Sequence, residues 1–274
     1  MVIGSLGLDR LLSVPRYPEA DSKVRTTAYH EYGGGNSGNT ASTMAKLKSA
    51  KCWSSSDPTI DCINIKLLTK VGDDIIGHQL KEELENVGVD CSSSLFCVVP
   101  NTATSFTTII VSEEEHTRTC LHTHGTSGEL TLQDVQSANL DEIFENVIHL
   151  HTDSRHTEAA LAIAQEARKR GIPISIDVEK NRYSKAQDQL LELATIVFTN
   201  SYQIDDYLNY LCREKEQEAR TSLQNSTATL VHPSLKDSAY TPIVKDTLIQ
   251  AIQPSFYFAR WHSQTSGKEV VITK

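Results

Sequence analysis

With 274 residues the chain can bury a sizeable core, as one domain or one domain with an appendage. A formal net charge of −9 and an isoelectric point near 5.6 argue against a general nucleic-acid binder and against a binder of anionic membranes. No apolar run approaches the length of a membrane span, and no secretory signal opens the chain. Six cysteines (52, 62, 91, 97, 120 and 212) form no CxxC pair, so they read as reduced intracellular thiols. A cytoplasmic location is the expectation, or a plastid one if an N-terminal leader is missing.

Residues 1–9 read as one apolar strand with Asp9 at its C-terminal end, where open α/β sheets hold ligands. A solvated turn residue is the alternative. A turn-rich loop, Tyr17-Pro18-Glu19-Ala20-Asp21-Ser22-Lys23, feeds a polar, β-prone strand over 24–32. Then comes Gly33-Gly34-Gly35-Asn36-Ser37-Gly38-Asn39, running into a helix predicted over 39–48. Consecutive glycines free the backbone for positive φ and for close approach to a ligand. Asn36 and Asn39 each offer a donor and an acceptor, as a polyol requires. Gly33-x-Gly35-x-x-Gly38 also matches the dinucleotide fingerprint, but that reading needs a buried central strand before the glycines. The polar segment 24–32 resembles an edge or flap strand instead. A purely structural glycine turn remains open beside the ligand loop.

A surface excursion is expected over 51–61. A strand over 63–69 is followed by a helix whose apolar residues Ile76, Leu80, Leu84 and Val87 share one face and which stops at Gly88. Residues 95–99, 103–111 and 117–122 are β-type, with Glu113-Glu114-Glu115 as a solvated hairpin tip. From 131 the rhythm is βα. Helices are predicted over 131–139, 156–170, 185–193 and 201–218, and strands over 147–151, 174–178 and 195–199. That alternation implies a parallel sheet covered on both faces. Residues 221–266 show no clear period, and 269–274 read as a closing strand. His122 and His124, like His149 and His151, alternate on strands. Such pairs can bind zinc, yet no further ligands stand at typical spacing, so satisfied or exposed histidines are the better reading.

In order and spacing these pieces resemble the ribokinase-like (PfkB) sugar kinases, and among them the ketohexokinases. The matching residues are Leu8-Asp9, Tyr17-Pro18-x-x-Asp21-Ser22-x-x-Arg25, Gly34-Gly35-Asn36-x-x-Asn39 and Lys70-Val71-Gly72-Asp73-Asp74. Gly88-Val89-Asp90, Arg118-Thr119, Asp177-Val178-Glu179-Lys180-Asn181-Arg182, Thr199-Asn200 and Val270-Val271-Ile272-Thr273-Lys274 complete the set. The resemblance implies a Rossmann-like parallel sheet with helices on both faces, in a single domain over 1–274 that is incomplete at its C-terminus. It adds a β-flap from about 13–32 and 95–124 that closes over the sugar and pairs with a second flap in a homodimer. It places Asp9, Gly34, Gly35, Asn36 and Asn39 at the sugar hydroxyls and Arg118 near the sugar and phosphates. ATP and Mg²⁺ are the implied donor and metal.

Two departures stand out. The family's Asn-x-x-Glu, which organises water around Mg²⁺, reads Asn200-Ser201-Tyr202-Gln203 here, and Asn200 reads equally as a helix N-cap. The Gly-Ala-Gly-Asp motif, which supplies an anion-binding helix N-terminus and the general base, is absent from residues 1–274. The expectation is therefore a sugar kinase whose chain, as given, does not catalyse transfer. The alternative is a non-catalytic sugar-binding or dimerisation partner.

Overall fold

The computed structural model describes residues 1–50, 63–179 and 184–199, and the backbone of 259–262 and 269–272. These fall into two compact units, Met1–Ile174 and Ser175–Lys274.

The first unit opens with β1 (Val2–Ile3), which lies between later strands of a parallel sheet. The chain then crosses at Gly4-Ser5-Leu6 into β2 (Gly7–Val14), in a different sheet. The expectation of one strand ending at Asp9 is thereby corrected: Asp9 lies inside β2. The cause is Gly4, whose φ of 150° lies outside the range that side-chain-bearing residues favour. Next come β3 (Ala28–Gly34), α1 (Asn36–Ser49), β4 (Ile65–Gly72) and α2 (Ile75–Asn86). The Asp74 carboxylate caps α2 by accepting from the Gly77 N–H at 2.8 Å. Gly88, with φ of 90°, follows the end of the helix.

Short strands β5 (Val89–Asp90) and β6 (Phe96–Val99) both pair parallel with β4, at Ile65–Lys66 and at Thr69–Gly72. The expected assignment of 95–99 to the flap is therefore corrected. Phe96 and Leu95 are buried, and that apolar content is satisfied by the main sheet rather than by a solvated flap. After β7 (Phe106–Ser112) and β8 (Thr117–Thr123) come α3 (Leu132–Ser137), α4 (Leu140–Ile143), β9 (Leu150–Thr152) and α5 (Thr157–Lys169). A reciprocal Thr131–Asp134 capping box starts α3.

Two sheets result. The main one runs β9-β1-β4-β5, with β6 also on β4. Its one face packs Val2, Leu67 and Val71 against Ala41 and Ala45 of α1 and Leu80 and Leu84 of α2. Ile3 and Leu68, one residue along each strand, point to the opposite face and are equally buried. The sheet is thus covered on both sides, as parallel sheets are. Five alanines of α5 (159, 160, 164, 167 and, beyond its buried face, 162 in the same helix) keep its surface smooth enough for close approach.

The second sheet is the flap, in the order β3-β2-β7-β8. β2 pairs antiparallel with β3 and parallel with β7, and β7 pairs antiparallel with β8. The acidic tip between β7 and β8 is exposed, as its composition predicts, and Glu114 meets Arg16 at 2.9 Å. Residues 24–27 lie outside the flap strands, whereas Gly33 and Gly34 belong to β3.

In the second unit, Ser175–Val178 of β10 (Ile174–Val178) pairs parallel with β11 (Ile196–Thr199) across the connecting α6 (Lys185–Leu193). The chain's late strands are β12 (Ala259–His262) and β13 (Glu269–Ile272). β13 pairs parallel with β11, and β12 adds an antiparallel edge that the sequence reading did not anticipate. The expected excursion over 51–61, the helix over 201–218 and most of 221–266 lie outside the described residues. No helix among the described residues is long and apolar enough to cross a membrane.

Candidate functional site

The site begins at the crossing from main sheet to flap. Asp153, just past the end of β9, is 1% exposed. Its carboxylate accepts from the Ser5 N–H at 2.8 Å and the Ser5 hydroxyl at 2.5 Å through one oxygen. Through the other it accepts from the Arg155 N–H at 3.0 Å. Ser5 in turn organises the glycine turn. Its Oγ accepts from the Asn36 N–H at 3.2 Å, and its carbonyl accepts from the Gly38 N–H at 3.1 Å. α1 has Gly35 at its N-cap and no side-chain cap of its own, so Ser5, about thirty residues upstream, takes that role. Ser37 Oγ–H donates to the Ile3 carbonyl at 3.0 Å and Thr69 Oγ1–H to the Gly4 carbonyl at 2.7 Å, which closes the crossing.

Gly35 has φ of 82°, and a Cβ there would fall under 3 Å from the Ser5 backbone. A Cβ on Gly34 would fall under 3 Å from the Asp9 carboxylate. The two glycines therefore permit one specific approach: the end of β3 passes directly under Asp9. The dinucleotide reading fails its context test, because the glycines follow the exposed flap strand β3 rather than a buried central one.

The register of the flap sets what else stands with Asp9. Tyr32 and Thr107 are its cross-strand partners, and His122 is the partner of Thr107. Residues in register share a sheet face. Arg118 lies on that same face, in the row of Val111 and Ser13. Asp9 is half-buried and has no hydrogen-bond partner among the described residues. Burial raises its pKa above the ordinary carboxylate value, and the nearby Arg118 charge works against that rise. Asn36 and Asn39 occupy the first turn of α1, three residues apart and so on one side of the helix. Asn39 is exposed.

The structure thus brings the turn Gly34-Gly35-Asn36 to Asp9, and puts Arg118 on the Asp9 face of the flap. Asn200 and Gln203 lie outside the described residues. The sequence reading missed Gly4, Ser5 and Asp153. A signal existed for the last: an aspartate immediately beyond a strand end is where open parallel sheets place polar functional groups. The imidazoles of His122 and His124 meet edge to face at 4.7 Å, and Thr107 Oγ1 lies 3.2 Å from His122 Nδ1. Burial, and then the charges of His124 and Arg155, lower the His122 pKa, with Glu129 opposing. His151 is pushed down to about 4 by burial and is neutral at physiological pH.

Comparison with known proteins bears on the family and the fold. The family of pfkB carbohydrate kinases matches residues 1–234. An ATP-dependent ribose-1-phosphate kinase from Halopiger xanaduensis is 23% identical over 239 residues, covering 87% of this chain and 72% of that protein. Among solved structures, Arabidopsis thaliana ribokinase complexed with ribose and ATP superposes with a TM-score of 0.58 at 19% identity, covering 77% of this chain and 61% of that one. A Burkholderia thailandensis nucleoside kinase in complex with inosine gives 0.54 at 13% identity, with coverages of 73% and 60%. The chain therefore spans about three fifths of the length of these solved relatives. The match over residues 1–234, on an α/β fold that these structures share, shows that the chain belongs to the pfkB family of carbohydrate kinases.

Proposed function

We propose that this chain carries the acceptor site of an ATP-dependent sugar kinase of the PfkB type. The observation that carries the reading is Asp9, a half-buried carboxylate without a hydrogen-bond partner among the described residues, above a glycine turn that admits nothing larger. A carboxylate in that position accepts from sugar hydroxyls, each such bond contributing roughly 1.5–3 kcal/mol. Asn36 and Asn39 supply the remaining donors and acceptors, and Arg118 supplies positive charge on the same flap face. Gly34 and Gly35 let the acceptor approach the backbone. In this reading the chain's own residues bind and orient the acceptor and exclude water beneath the flap. ATP supplies the phosphoryl group and Mg²⁺ offsets its charge. Asn200 and Gln203 belong to the nucleotide and metal-water side by resemblance.

Three finer statements belong to the proposal. The resemblance within the family is to the ketohexokinase-like members, on the strength of the Tyr17-Pro18-x-x-Asp21-Ser22 and Gly34-Gly35-Asn36-x-x-Asn39 matches, and the acceptor is a ketose, a ribose-like pentose or a nucleoside, all of which the same loop serves. Two copies pair through their flaps, on whose face opposite Asp9 Tyr29 is 53% exposed and Leu121 is 50% exposed. Residues 1–274 by themselves bind the acceptor without transferring phosphate, since they contain no Gly-Ala-Gly-Asp sequence.

The test is an assay of residues 1–274 with ATP and Mg²⁺ against fructose, ribose and a nucleoside, beside equilibrium binding of the same compounds. Binding of one acceptor without turnover is the expected result. Robust turnover would overturn the statement about transfer, and absence of any acceptor binding would overturn the site.

A further inference from the structure

Two junctions between the main sheet and the flap each have their own carboxylate. At Gly4-Ser5-Leu6 it is Asp153, which holds Ser5 and through it Asn36. On the way from β6 into β7 it is Asp74.

Asp74 does more than cap α2. A cap needs one side-chain oxygen, and Oδ1 meets that need at the Gly77 N–H. The same Oδ1 accepts from the Thr104 hydroxyl at 2.7 Å, and Oδ2 accepts from the Thr104 N–H at 2.9 Å. Thr104 is 3% exposed, and its Oγ1 accepts in turn from the N–H of Gly72, the last residue of β4, at 2.9 Å. One threonine thus ties the entry to the flap to both β4 and α2. Burial pushes the Asp74 pKa up, but the Thr104 hydroxyl and the Thr104 and Gly77 N–H groups outweigh it and hold the carboxyl below its ordinary value of 3.8.

The packing leaves this segment little freedom. A Cβ on Gly72 would fall under 3 Å from the Thr102 carbonyl oxygen and the Thr104 nitrogen. One on Gly125, just past β8, would fall under 3 Å from the Ala103 carbonyl oxygen and the Ser105 nitrogen. Thr126 Oγ1 accepts from the Ala103 N–H at 2.8 Å, and the Ala103 carbonyl accepts from the Ser127 N–H at 3.2 Å.

The segment leads directly to Asp9. The Ser105 carbonyl accepts from the Leu8 N–H at 3.2 Å, Phe106 pairs with Leu8, and Thr107 pairs with Asp9. Thr104 therefore stands three residues before the cross-strand partner of Asp9.

We propose that Asp74 is a positioning residue of the acceptor site: through Thr104 it fixes the start of β7 to the main sheet and so sets where Asp9 stands over the glycine turn. This rests on the reading of Asp9 and the glycine turn as the acceptor site. Asp153 fixes the Asn36 side of that turn, so the two carboxylates together set the spacing between the acceptor's partners on flap and helix.

The experiment compares Asp74→Ser, Thr104→Val, the double variant and Thr104→Ser in the full chain. Serine at 74 keeps a helix cap but is too short to hold Thr104. Valine at 104 keeps the shape and loses the hydroxyl, whereas serine at 104 keeps the hydroxyl. Each protein is titrated calorimetrically with fructose, ribose, ribose 1-phosphate, ribose 5-phosphate and a nucleoside. Amide hydrogen exchange is followed at Leu8 in the flap and at Leu67 and Leu68 in β4. Asp74→Ser and Thr104→Val should each weaken the acceptor that the parent binds by roughly 5-fold or more. The double variant should be no worse than the weaker single one, and Thr104→Ser should bind as the parent does. Leu8 should exchange faster in the two disruptive variants, with Leu67 and Leu68 changing less. Unchanged affinity in both disruptive variants would overturn the inference and leave the acceptor site standing. So would exchange that rises equally at Leu8 and in β4, since that is a loss of global stability alone. If the parent binds none of these compounds, the acceptor reading falls and the positioning role falls with it.

Discussion

The carboxylate of Asp9 fills the space that any side chain at Gly34 would require. The two residues are on neighbouring flap strands, and their approach defines the floor of the acceptor site. Gly34→Ala forces one of them to move. Overpacking of this kind costs about 1–3 kcal/mol. The variant should therefore unfold at lower denaturant and lose acceptor binding together. Full acceptor binding by Gly34→Ala would show that the approach is not part of the site.

Asp9 itself should carry a stability cost. Burial raises its folded pKa above the ordinary value of 3.8, so the ionised form is disfavoured in the fold. That penalty is fully present above the folded pKa. It fades as pH falls through the raised value and is gone below the unfolded one. Asp9→Asn should accordingly be at least as stable as the parent at pH 7, and the difference should shrink on acidification. Denaturant midpoints across pH 3–7 measure this. A variant clearly less stable than the parent at pH 7 would mean that the carboxylate has partners in the fold.

Asp153 should behave in the opposite way. It is buried and satisfies three donors, on Ser5 and Arg155. Asp153→Ala leaves them without an acceptor, at a cost on the order of 3 kcal/mol or more. Ser5→Ala keeps the backbone bond and loses only the hydroxyl, for about 1 kcal/mol, while releasing the Asn36 N–H. Chemical unfolding of both variants separates the cases. An Asp153→Ala protein as stable as Ser5→Ala would contradict the arrangement.

The proposed flap dimer has its own test. Light scattering at micromolar concentration should report twice the chain mass of 30.3 kDa. Leu121→Asp, a charge on the exposed flap face that Tyr29 shares and Asp9 does not, should return the monomer without loss of fold by circular dichroism. A parent chain that scatters as a monomer would remove the flap pairing.

Much of this arrangement was legible in the sequence because it is local. The glycine turn, the helix after it, the Leu80–Leu84 stripe and the βα rhythm follow from spacing alone. The crossing at Gly4 was not legible, because Val2 to Leu8 is apolar apart from Ser5 and the glycines, and apolarity serves both the main sheet and the flap. Residues 95–99 were drawn into the flap for the same reason: a short apolar strand does not announce which sheet it joins. Asp153 escaped notice because its partner Ser5 is 148 residues away in the chain. Register then disclosed what spacing could not, namely that Asp9, Thr107 and His122 form one row.

The most direct measurement is equilibrium binding of fructose, ribose and the ribose phosphates to the parent chain and to Asp9→Asn. Loss of a charge-assisted hydrogen bond of roughly 1.5–3 kcal/mol corresponds to about a 10- to 150-fold weaker affinity. The account predicts that the parent binds at least one of these acceptors and that Asp9→Asn, still folded, binds it weaker by that factor. Equal binding by the two proteins would contradict it.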